Sequence, residues 1–91
     1  MGFNTVTVTT TATKLVAANT LRESILLTQI TDTTIYVGPD DTVTSSNGFP
    51  LKQWDIMNEN NSGTKVYMGD IYGIVDSSTA DVRYWERTRN G

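Results

Sequence analysis

The chain has 91 residues, seven Lys+Arg against ten Asp+Glu for a net charge of −3, and neither cysteine nor histidine. Lack of cysteine excludes disulfides, thiolate nucleophiles and thiolate metal sites, and lack of histidine excludes Ser-His-Asp triads, histidine zinc sites and imidazole proton shuttles. One domain of this length buries roughly 60–65% of its unfolded surface, a thin core that oligomerisation would supplement.

No apolar run approaches the ~18 residues of a membrane span, and the N-terminal residues lack a signal-peptide layout. Synthesis and folding in the cytoplasm are therefore expected, with no membrane partner. A net charge of −3 argues against a general nucleic-acid binder.

Residues 3–19, FNTVTVTTTATKLVAAN, hold six of the sixteen threonines, no acid and one lysine. Thr5, Val6, Thr7, Val8 and Thr9 alternate with the period of a strand that buries Val6 and Val8 and turns a row of hydroxyls outward. Residues 1–11 are expected to form an extended arm or edge strand, leaving 12–91 as a single β-sandwich domain. Extended chain continues through Lys14–Val16 to a turn near Asn19. RESILLTQI (22–30) reads as a central strand with an apolar run at Ile25–Leu27, and TIYV (34–37) as a short strand ended by Gly38-Pro39.

A further short strand is expected at 42–44, before the Asn47-Gly48 turn signal. Over 51–58, alternation places Trp54 and Ile56 on the inner face. After the polar loop at 59–63 come strands at 64–69, 71–75 and 80–87. Seven to nine short strands at spacings near ten residues predict an all-β fold, a small antiparallel sandwich or jelly roll.

Candidate chemistry is sparse. Asp40 and Asp41 sit in a GPDD turn, where acids usually face water, and no G-x-G-x-x-G, Walker or EF-hand pattern occurs. No catalytic residue, cofactor or metal site is expected. The charge, however, is uneven: residues 1–82 carry four cations and nine carboxylates, whereas 83–91 carry three arginines against Glu86. Arg83, Trp85 and Arg87 alternate with Val82 and Tyr84 on the last strand. If Val82 and Tyr84 face the core, Trp85 lies exposed between two arginines, a composition enriched in protein-interface hot spots. If the faces are swapped, Trp85 is core.

The order of TVTVTTTATKLVAANTLRESILL, TIYVG, VTSSNGFPL and IYGIVDSSTADVRYWE resembles small β-rich virion proteins of tailed bacteriophages: capsid decoration (cement) proteins and the base domains of head fibres. The likeness spans residues 5–86. It rests on L-V-x-A-N-x-x-R-x-S (Leu15, Val16, Ala18, Asn19, Arg22, Ser24), I-Y-x-G (Ile35, Tyr36, Gly38), V-T…G…L (Val43, Thr44, Gly48, Leu51) and T-A-D-V-R (Thr79–Arg83). The chain departs from the pattern at Trp54 and Ser78, where glycine commonly stands.

The resemblance implies a structural protein, a trimer, that docks on the major capsid protein at the outer surface of the virion and reinforces the shell. A head-fibre base, a tail-associated virion protein and a carbohydrate-binding module are the alternatives. The interface residues expected on this reading are Phe3, Thr5, Thr7 and Thr9 of the first strand with Arg83, Trp85 and Arg87 of the last.

Overall fold

In a computed structural model, which describes residues 2–60 and 67–88, the chain forms eight strands in two four-stranded antiparallel sheets packed as a β-sandwich. The strands are β1 (Gly2–Val8), β2 (Thr13–Val16), β3 (Arg22–Gln29), β4 (Ile35–Gly38), β5 (Phe49–Leu51), β6 (Ile56–Asn60), β7 (Ile71–Ile74) and β8 (Ala80–Thr88). Sheet A has the order β1-β8-β3-β6 and sheet B the order β2-β7-β4-β5.

Period-two patterning explains the layers. Sheet A sends Val8, Ile25, Leu27, Ala80 and Val82 inward, and sheet B answers with Leu15, Val16, Ile35, Val37, Leu51 and Ile71. Val6, Met57 and Tyr84 pack at the margin of this core. The first strand is an edge strand of its own sheet: it pairs with β8 from Gly2↔Glu86 to Val8↔Ala80 without a register shift. Val8 is buried, so the C-terminal end of this stretch belongs to the core rather than to a free arm.

Three sequence expectations are corrected. Residues 42–44 form no strand. Val43 is buried beneath a turn in which Asn47 and Gly48 donate to the Thr44 carbonyl. A Cβ on Gly48 would lie 2.6 Å from Tyr36 Cβ, which is why glycine stands there. Residues 67–69 are likewise not a strand, and 64–66 lie outside the described residues.

The third correction concerns 51–58. This segment is not one strand, because β5 belongs to sheet B and β6 to sheet A, and the chain crosses between them at 52–55. The crossing is a tight turn: Asp55 N donates to the Lys52 carbonyl (3.0 Å), Lys52 N to Asp55 Oδ2 (2.9 Å) and Trp54 N to the Gln29 carbonyl (2.7 Å). It resets the alternation, so Trp54 (67% exposed) and Ile56 (63%) face outward, and Met57 is the residue turned to the core.

Trp54 and Ser78 are the non-glycine residues with positive φ among those described, at 70° and 64°. Left-handed backbone costs an L-residue on the order of 1–2 kcal/mol that glycine avoids.

One end of the sandwich is closed by a buried cation. Arg22, 1% exposed, donates from Nε to Glu86 Oε2 (2.7 Å), from one terminal nitrogen to the carbonyls of Tyr67 (2.8 Å) and Gly69 (3.1 Å), and from the other to the Ala17 carbonyl (2.8 Å). Asn19 supports it, donating its main-chain N–H to the Met68 carbonyl and accepting from Leu21 N. Ala18 N donates to Asp70 Oδ1 (2.7 Å). The residues Ala18, Asn19 and Arg22 therefore join two loops to β8, a structural task.

Candidate protein-binding face

The outer face of sheet A follows from register. Phe3 lies opposite Trp85, and Trp85 opposite Leu26 on β3; Thr5 lies opposite Arg83, Arg83 opposite Thr28, and Thr28 opposite Ile56 on β6. Since Val82 and Tyr84 turn inward, strand alternation forces Arg83, Trp85 and Arg87 outward. Of the two readings open in the sequence, Trp85 is thus the exposed one, with 56% of its surface in solvent.

Phe3 (80% exposed), Leu26, Ile56 and Trp85 enclose an open groove of about 510 Å³ with Thr28 and Arg83. Apolar side chains dominate its walls. A sheet face turned to water ordinarily carries polar residues, so four large apolar side chains around one groove make this face a candidate interaction surface. Arg83 and Arg87 are exposed, and among the described residues neither has an ion-pair partner. The face therefore joins apolar area to two positive charges that have no ion-pair partner among the described residues, on a chain of net charge −3.

The structure gathers most but not all of the residues expected from sequence. Phe3, Thr5, Arg83 and Trp85 share two adjacent rows. Thr7 lies on the same face one row further along, its hydroxyl donating to Asp81 Oδ1 (2.9 Å). Arg87 sits on the same side of β8, beside Ser24 at the opposite end. Thr9 stands apart. It follows β1, and its hydroxyl is engaged with the main chain of Thr11.

Leu26 and Ile56 were not anticipated as site residues. Leu26 had a usable signal, since Ser24 and Thr28 flank it at period two and mark its face as outer. Ile56 had none, because the turn at 52–55 hides the change of phase.

Elsewhere the polar chemistry is local. Asp40 and Asp41 are exposed. Hydrogen bonds from the Thr42 hydroxyl and then from Thr42 N–H (2.9 Å) hold the Asp40 carboxyl below its ordinary value of 3.8. Among the described residues no three acidic side chains gather where a metal ion could be held. Comparison with known proteins finds no matching family model, no similar curated protein and no similar solved structure.

Proposed function

We propose that this chain is a structural virion protein that docks on the outer surface of an assembled phage capsid and reinforces it. The observation that carries the reading is the groove between Phe3 and Trp85, with two arginines beside it that have no ion-pair partner among the described residues of an otherwise acidic chain. Virion proteins of this kind are what the order of sequence motifs resembles.

The physics of such docking is differential binding. A protein that binds the closed shell but not its separate or expanded subunits stabilises the shell by mass action. The apolar groove supplies desolvation, centred on a tryptophan and edged by arginines, the side chains most common in interface hot spots. Carboxylates on the capsid surface complement Arg83 and Arg87, which speeds encounter and makes attachment weaken as salt rises. Phe3 beside Trp85 also offers a platform on which a sugar ring could stack. The nearly all-carbon lining gives few partners for sugar hydroxyls, so protein is the better-matched ligand.

The test is co-sedimentation with capsids of the phage that encodes the chain. Trp85→Ala should lower occupancy by about 2–4 kcal/mol of binding free energy, while the melting temperature of the free protein stays within a few degrees. Glycans at millimolar concentration should not compete. The reading is overturned if wild type leaves capsids bare, or if Trp85→Ala binds as well as wild type.

A further inference from the structure

Each sheet of the sandwich ends in two edge strands, and unpaired edges are usually guarded by brevity, charge, proline or a bulge. Three of the four here carry such guards. β2 has four residues, Lys14 and an irregular register between Lys14 and Val16. β5 has three residues and includes Pro50. β6 has only five residues. β1 differs: it is seven residues long, with no charge, no proline and an unbroken register.

The hydrogen-bond phase of β1 shows what its edge offers. Asp81 N donates to Thr31 Oγ1 (3.0 Å) and its carbonyl accepts from Ile30 N (3.2 Å), so the Asp81 main chain faces β3. Thr7, opposite Asp81, therefore makes no main-chain bonds to β8 and points its N–H and C=O to the free edge. Alternation gives Phe3 and Thr5 the same orientation. The Thr5 N–H is held by Asn4 Oδ1 (2.8 Å) within the exposed edge, a bond that a better acceptor can replace.

We propose that two copies of this chain pair through β1, antiparallel about a twofold axis perpendicular to sheet A, with Thr5 opposite Thr5 of the second copy. This register sets Phe3 against Thr7 of the second copy and forms about six main-chain hydrogen bonds from the three outward-facing residues of each strand. Every cross-strand pair is uncharged, and a Thr–Thr pair is among the favourable ones. Phe3, the most exposed large apolar side chain described, gains a neighbour on its open side.

Charge selects this arrangement over a face-to-face dimer. Packing two outer faces together would oppose Arg83 and Arg87 to their own copies. Edge pairing keeps the two β8 strands three strand spacings apart, about 14 Å, beyond the ~8 Å screening length in physiological salt. The pairing needs no capsid. It gives a twofold dimer where the sequence resemblance implies a trimer.

Light scattering at tens of micromolar should give about twice the 10.0 kDa chain mass. Thr5→Lys and Thr5→Glu should each give monomer, and an equimolar mixture should recover the dimer, because Lys then faces Glu across the axis. Recovery in the mixture also shows that both variants fold. Independently, the chain contains no cysteine, so Thr5→Cys should cross-link to itself on mild oxidation while Thr9→Cys does not. A monomeric or trimeric wild type, an unchanged mass for Thr5→Lys, or no preference between the two cysteine positions overturns the proposal.

Discussion

Replacing Arg22 by methionine should be among the most damaging single changes in this domain. The side chain is fully buried, and its partner Glu86 retains only 12% exposure. Methionine matches the aliphatic stem but removes every donor of the guanidinium. Glu86 then keeps Asn19 Nδ2, at 3.5 Å, as its remaining side-chain donor among the contacts around Arg22. Breaking a buried pair by deleting one member costs about 3–5 kcal/mol, because the surviving charge stays desolvated. The Ala17, Tyr67 and Gly69 carbonyls lose charge-assisted bonds as well, although water can reach these loops once they separate. A loss of about 4 kcal/mol is a large part of the 5–15 kcal/mol that holds a domain folded. At 4–8 °C per kcal/mol for this size, it corresponds to a melting temperature lower by about 16–32 °C. Urea unfolding of wild type, Arg22→Met, Glu86→Gln and the double variant isolates the coupling. The double variant should regain about 1–2 kcal/mol over Arg22→Met, since it no longer buries an unpaired carboxylate. A loss below about 1 kcal/mol for Arg22→Met, or no recovery in the double variant, would refute the assignment of Arg22 as the clamp of the two loops.

Two smaller effects follow from the turns. Ser78→Gly relieves a left-handed backbone at a cost in unfolded-state entropy, so the net gain is about 0.5 kcal/mol, seen as a melting temperature higher by a few degrees; Ser78→Val should move it the other way. Asp40 has a depressed pKa, so its contribution is present above pH 3.8 and is lost as pH falls through the lower folded value. The advantage of wild type over Asp40→Asn in thermal unfolding should therefore shrink between pH 5 and the acid limit, and a constant difference would contradict it.

Local alternation made much of the sandwich legible. Thr5–Thr9 and Ala80–Arg87 each repeat at period two over a length that fits one strand, so the inward placement of Val6, Val8 and Val82 could be read directly. That was enough to put Trp85 and its flanking arginines on one side of β8. What could not be read depends on phase breaks and distant partners. The turn at 52–55 preserves the look of alternation while moving the chain to the other sheet, which inverted Trp54 and Ile56. Leu26 lies within the apolar run Ile25–Leu27, a pattern that a central strand buried on both faces also produces. Arg22 opens the predicted strand at 22–30 with no local sign that it is buried. Its burial is set by carbonyls near residue 68 and a carboxylate at 86, acceptors that no local pattern announces.

The proposed edge pairing and the proposed face docking, taken together, constrain where the protein can sit. A twofold axis perpendicular to sheet A keeps the outer faces of both copies on one side, so the dimer presents two grooves in one plane. Engagement of both converts the second contact into an intramolecular event and multiplies affinity by roughly 10²–10⁴ without a new interaction. That gain exists only where the shell offers two binding sites related by a local twofold with matching separation. At a threefold position one groove of each pair would be idle and the gain would vanish. Occupancy of capsids by the wild type should therefore concentrate at local twofold axes, and even filling of threefold positions would contradict the pairing.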